Sequence, residues 1–295
     1  MLNLIRAGFF RYLHSTVFKV CSVFTVVFAA LFSYSVFEDS NLNEIWFMAG
    51  TLTIAVLITF TIGSETSACI KNKLAAGYTK TQIYFSEIIL ANIFALIYYA
   101  VFFVLFVVGN FYVMEHTPAV LSLQVSLGFA AMVLLLASAF ASLSCMISSK
   151  TAPAAVCLIL VIVLTITNSI AADALKEKEF FKVGSNESGK WEHWEEKNPE
   201  YVDEPLRSVL TFYRDTNPYG QRSEYERILV PFLYDDEAWE RAKEVTAGTI
   251  GNDFLMREVS EQEQKYLNRT PFVTLTPVPV FILAGWFIFK KKEFK

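Results

Sequence analysis

Charge is scarce in this sequence. Only 18% of its 295 residues are Asp, Glu, Lys or Arg, where a soluble domain carries about 25%. That shortage, beside a hydrophobic content of 54%, excludes a disordered chain, a coiled coil and an ordinary soluble enzyme. Histidine is sparser still. His14, His116 and His193 stand far apart, and no H-E-x-x-H or other paired-ligand spacing occurs, so neither a catalytic nor a metal site is expected. His193, within Trp191-Glu192-His193-Trp194-Glu195-Glu196, belongs to a solvated charged surface. The phosphate-loop pattern G-x-x-x-x-G-K-[ST] is missing, so this chain does not bind ATP in that manner. A clustered basic surface is missing too, which excludes a nucleic-acid partner.

What is present is long apolar runs. A helix needs about 20 apolar residues to cross a bilayer. Six stretches qualify: 17–37, 45–63, 83–109, 119–147, 152–172 and 272–289. The first is longer than a signal-peptide core and is followed by no A-x-A-like cleavage site, so it is expected to be a retained span. Charge is unevenly placed. Residues 173–270 hold 22 of the 29 acidic and 14 of the 25 basic residues, a local net of −8. None of Cys21, Cys69, Cys145 and Cys157 lies in that insert, so no disulfide framework supports it.

Orientation follows from Lys and Arg in the short loops. Arg6, Arg11 and Lys19 mark the N-terminus, Lys71, Lys73 and Lys80 the loop between spans two and three, and Lys150 the link between spans four and five. Lys290, Lys291, Lys292 and Lys295 mark the tail. The alternate loops, with Glu38, Asp39 and Glu44 in one and Glu115 and His116 in the other, have neither residue. Both termini are therefore expected in the cytoplasm of a multi-pass plasma-membrane protein, with residues 173–270 outside the cell. The fold class is an all-α polytopic membrane protein: a membrane domain over 1–172, a mainly helical extracellular insert over 173–270, and a sixth span with its tail over 271–295.

Ahead of the first span, residues 1–16 place Leu2, Ile5, Phe9 and Leu13 on one helical face and Asn3, Arg11 and His14 on the other. This is an interfacial helix expected to lie on membrane lipid. Between spans two and three, Ser64 is a candidate N-cap, Glu65 favours the first turn, and Lys71 and Lys73 suit the far end of the dipole. Gly77 is a natural stop, and Thr79 or Thr81 a cap for the next helix. A short polar helix over about 64–76 results, of a kind that docks into a groove on a cytosolic partner.

This loop resembles that of permease subunits of type-2, exporter-like ABC transporters. Glu65, Ile70, Asn72, Lys73, Leu74, Gly77, Thr79, Lys80, Ile83 and Tyr84 stand in the register of the family's run after span two. The initial membrane-surface helix, the final span with Gly285, Phe287 and Phe289 before its charged tail, and Asn217-Pro218-Tyr219-Gly220-Gln221 are similar to family features. The external insert is larger than the family's minimal version. The resemblance implies a non-catalytic subunit that works with a dimer of cytosolic ABC ATPases and a second permease subunit, identical or related. ATP and Mg²⁺ would be bound by the ATPase, with no cofactor in this chain. It implies that Glu65, Ile70, Asn72, Lys73, Leu74 and Gly77 form the ATPase-coupling element, driving alternating access for export of a peptide, antibiotic or lipid-like molecule. Glu65 is equally suited to serving only its helix terminus, and the lysines to setting topology. A membrane-anchored sensory protein with 173–270 as its ligand-binding module is the competing reading.

Polar residues within spans are costly and therefore informative. Asn92, Gln124 and Asn168 are candidates for the substrate path, with interhelical bonding the alternative for Asn92. Glu87, one turn into span three, is expected to reach water or pair with Lys80. The small residues Ala137 to Ser142 offer a surface for close helix approach. Pro277 and Pro279 should kink the last span. Within the insert, 205–214, 223–232, 235–246 and 254–267 show helical spacing, and 184–189 reads as a turn.

Overall fold

The computed structural model describes residues 1–34, 67–109, 119–147, 152–185, 192–233 and 259–293. The chain is mainly helical. Its helices are α1 (Leu2–His14), α2 (Thr16–Tyr34), α3 (Ser67–Ala75), α4 (Lys80–Gly109), α5 (Ala119–Met146) and α6 (Ala152–Lys176). After a β-hairpin come α7 (Leu206–Thr216), α8 (Pro218–Leu233), α9 (Glu261–Leu275) and α10 (Val278–Lys291). Lys80–Val101, Ala119–Met146, Ala152–Lys176 and Glu261–Lys291 are long and apolar enough to cross a membrane, the architecture of an all-α membrane protein. The expected first span coincides with α2. The expected second span and Glu65 lie outside the described residues.

Two compact units form, Met1–Val161 with Tyr225–Lys295, and Ile162–Glu224. In the first, α4, α5 and α10 pack around the small residues of α5. Ala137, Ser138, Ala139, Ala141 and Ser142 are buried, so the small-residue surface is used within the chain. Small side chains let backbones approach where polar groups can bond across helices. Tyr84 of α4 donates to the Ile282 carbonyl of α10 at 2.9 Å and lies 3.1 Å from the Ser142 hydroxyl. The Cβ that Gly285 lacks would sit 2.4 Å from Tyr84 Oη and 3.0 Å from Ser142 Cβ. Gly285→Ala therefore lowers the melting temperature, at a cost of about 1–3 kcal/mol for an overpacked site. Adding Tyr84→Phe removes the nearest atom and leaves Cζ at 3.3 Å. The double variant should lose less than the two single losses added together, as thermal unfolding in detergent reads directly.

A second cluster joins Leu121, Val125 and Met132 of α5 to Tyr225, Ile228 and Phe232 of α8 and Leu267 of α9. The helix expected over 254–267 begins at Glu261 and runs on to Leu275. A capping box fixes that start: Glu263 N–H bonds Ser260 Oγ, and Glu263 Oε2 accepts from the Ser260 N–H. The last span is interrupted where a kink was expected: α9 ends at Leu275 and α10 restarts after Pro277, with Thr276 and Pro277 both keeping helical φ and ψ. A ring with no N–H there suits the start of a helix.

The second unit adds a β-hairpin to the mainly helical insert expected. Phe180–Ser185 pairs antiparallel with Glu192–Lys197, with Phe180 opposite Lys197 and Ser185 opposite Glu192. Phe180, Phe181 and Val183 are strand-favouring residue types, and they precede the stretch read as a turn. The helix expected from 205 is present as α7. The one expected at 223–232 starts earlier, at Pro218, whose fixed φ favours a first helical position. The helix expected over 235–246 lies outside the described residues.

Candidate functional site

The loop ahead of α4 folds as its local chemistry dictates. Helix α3 ends in a Schellman motif: the Gly77 N–H bonds the Leu74 carbonyl at 3.0 Å and the Tyr78 N–H the Lys73 carbonyl at 3.1 Å. Gly77 has φ of 89°, which a side chain would strain. Thr79, not Thr81, caps α4. Its hydroxyl accepts from the Gln82 N–H at 3.2 Å, and Gln82 Oε1 accepts from the Thr79 N–H at 3.0 Å. Two back-to-back caps fix the angle between α3 and α4.

The two faces of α3 differ. Ile70 is buried and Leu74 half-buried, whereas Lys71 and Asn72 are exposed. Lys73 turns inward and donates to Glu87 Oε1 at 3.1 Å. Glu87 is the centre of the site. Its side chain is only 5% exposed, and an unpaired buried carboxylate is costly. Three groups compensate it: Lys73, the Arg11 guanidinium at 3.7 Å, and the Tyr12 hydroxyl, which donates to Oε2 at 3.1 Å. Glu87 thus joins α1, α3 and α4. The expected pairing with Lys80 does not form, because Lys80 turns to the end of α10 and donates to the carbonyls of Lys290 (3.1 Å) and Lys292 (2.7 Å). An ammonium there meets the negative end of the helix dipole. Lys292 in turn donates to the Cys145 carbonyl at 3.3 Å near the end of α5, and burial lowers its pKa from the ordinary lysine value.

The apolar face of α1 expected to lie on lipid, Leu2, Ile5, Phe9 and Leu13, holds no buried residue. Leu4, Gly8 and Tyr12 face the protein, while Leu2, Phe10 and Leu13 are exposed. Gly8 lets Leu90 of α4 approach: a Cβ there would meet Leu90 Cδ1 at 2.3 Å. Phe9 and Tyr12 both stack on Phe94, each with ring centroids 5.0 Å apart. Burial, then the Glu87 carboxylate, raises the Tyr12 pKa well above its ordinary value, so the phenol keeps the proton it donates. The apolar periodicity reports the outward face of α1. The inward one carries a glycine and a tyrosine, which apolar counting misses. The sequence signals for the site were a lone acid, Glu87, in an apolar helix, and Lys73 on α3, named without its partner.

The three substrate-path candidates each have their own surroundings. Ser138 of α5 donates to Asn92 Oδ1 at 3.1 Å, an interhelical bond, and the Asn92 amide donates to the Ile88 carbonyl. Gln124 donates to Asn268 Oδ1 at 2.8 Å on an exposed surface. Asn168 belongs to the second unit, where the Cβ that Gly220 lacks would lie 2.6 Å from its Oδ1. Beside it, Asn217 donates to the Leu164 carbonyl at 3.0 Å and to the Tyr213 hydroxyl at 2.9 Å. The Asn217–Gln221 stretch singled out by resemblance therefore ties the α7–α8 turn to α6. Compared with known protein families, curated proteins and solved structures, the chain matches none.

Proposed function

We propose that this chain is the transmembrane permease subunit of an ATP-driven ABC exporter, with α3 as the element that receives the stroke of a separate cytosolic ATPase. The observation that carries the reading is the division of α3. Ile70 and Lys73 root it on the bundle, and Lys71 and Asn72 are offered to a partner. A surface helix that merely linked two spans would need no buried carboxylate beneath it. The Glu87 cluster makes α1, α3 and the start of α4 one mechanical piece, so a push on α3 moves a span. In this reading Asn72 touches the ATPase, Ile70, Lys73 and Leu74 transmit, and Gly77 fixes the angle. Asn92 and Gln124 serve as interhelical bonds. Both termini lie in the cytoplasm of a plasma-membrane protein with six spans, a second permease subunit completes the path, and ATP and Mg²⁺ stay with the ATPase.

A photo-reactive amino acid at Asn72 tests the assignment. Irradiation of cells should join the chain to a protein carrying a phosphate loop, while the same group at exposed Leu2 should not. Crosslinks at Asn72 to lipid alone, or to a signalling protein, would contradict the reading, the latter favouring the sensory protein.

A further inference from the structure

The outer face of α10 changes character along its length. At about 100° per residue, Val280, Leu283, Phe287 and Lys291 fall on one side of the helix. Val280, Leu283 and Phe287 are 66%, 49% and 56% exposed, whereas Gly285 and Phe289, on the opposite side, are buried. From Val280 to Lys291 is about 16 Å along the axis, close to half of a hydrocarbon core about 30 Å thick. The apolar stripe is therefore as long as one leaflet is deep, and it ends on charge. Lys290 and Lys291 are both exposed.

That end is equipped for an anion. A helix C-terminus carries partial negative charge on its unpaired carbonyls, which disfavours phosphate. Here Lys80 of α4 donates to the carbonyls of Lys290 and Lys292 and offsets that charge. The Lys290 ammonium sits 5.2 Å from the centroid of the Trp286 ring. The Trp286 indole N–H in turn donates to the Thr81 hydroxyl at 3.2 Å. Ring and cation are thus positioned before any ligand arrives, and a tryptophan suits headgroup depth. Lys80, Lys290, Lys291 and Lys292 stand against one acid, Glu293, four positive charges to one negative and a net of +3. Topology alone calls for lysine at such an end. It does not call for a hydrogen-bonded tryptophan beneath one lysine or for a neutralised carbonyl terminus. Basic groups gathered between membrane helices at headgroup level take anionic lipid.

We infer that this face of α10 is a binding site for an anionic phospholipid. One acyl chain lies along Val280, Leu283 and Phe287, and the phosphate meets Lys290 and Lys291 beside Trp286. The inference rests on Glu261–Lys291 crossing the membrane and is independent of the transporter reading.

Quenching of Trp286 tests it. The full-length protein is placed in phosphatidylcholine vesicles that hold a minor share of phosphatidylglycerol, or of phosphatidylcholine, brominated on the acyl chains. The fluorescence lost in W286F isolates the Trp286 signal. Brominated phosphatidylglycerol should quench that signal several-fold more than brominated phosphatidylcholine does. K290Q/K291Q should abolish the preference while keeping the phosphatidylcholine quenching, which also reports that the variant is folded. K290R/K291R should retain the preference, and so should K176Q/K178Q, which removes two charges elsewhere. Equal quenching by the two lipids in the parent would overturn the inference. So would a preference that survives K290Q/K291Q, or one lost equally in K176Q/K178Q, which marks general attraction to a charged surface. Inorganic phosphate at constant ionic strength should displace nothing; displacement would mark a site for the free anion and overturn the lipid assignment. Quenching by neither lipid would remove the lipid-facing span on which the inference stands.

Discussion

Replacing Lys73 by methionine lowers stability by about 3 kcal/mol, the scale for leaving a buried charge short of its partner, while Lys71→Ala changes it by less than about 0.5 kcal/mol. The two lysines are two residues apart on α3 and look interchangeable in the sequence. They differ in what lies beneath them: Lys73 is bonded to buried Glu87, and Lys71 faces outward. Methionine keeps the length and apolar stem of the side chain, so the loss is electrostatic. Combining Lys73→Met with Glu87→Gln should recover part of it, because the carboxylate no longer needs neutralising. Thermal unfolding of the four proteins in one detergent forms a double-mutant cycle. Equal losses for the Lys71 and Lys73 variants, or strictly additive losses for the pair, would remove Glu87 as the centre of the site.

Gly128→Ala is expected to cost about 3 kcal/mol or more, at or beyond the upper end for overpacking. Its Cβ would fall 2.0 Å from Tyr225 Oη, 2.3 Å from Cζ and 2.6 Å from Cε2. The ring has nowhere to go. Tyr225 is fully buried, with Phe129 and Tyr266 against it at centroid distances of 5.6 and 6.1 Å. Unlike the clash at Gly285, this one is not relieved by removing a hydroxyl, so Tyr225→Phe should not rescue Gly128→Ala. Expression level and melting temperature report both variants. A Gly128→Ala protein as stable as the parent would mean that α8 does not pack on α5 as described.

What was legible in the sequence was local. The end of α3 at Gly77, a cap at Thr79 and the spans at α4, α5 and α6 follow from glycine conformation, short polar side chains and apolar run length, all of which act within a few residues. The partners of Glu87 were not legible, since Arg11 and Tyr12 arrive from 75 or more positions away. Gly8 and Gly128 carry no apolar weight, yet each lets another residue, Leu90 or Tyr225, approach a helix backbone. The hairpin at Phe180–Lys197 was hidden by its charge, because a run such as Glu192–Lys197 reads as a solvated surface until its strand partner is known.

Affinity purification of the intact chain in mild detergent, with mass spectrometry of what accompanies it, tests the permease account most directly. The account predicts a protein with a phosphate loop and an ABC signature motif, in a ratio near one to one, lost when residues 64–76 are deleted and kept when α7 carries Phe212→Ala. Recovery of the chain without any ATPase, alone or with a signalling partner, would contradict it and leave α3 as a structural link between spans.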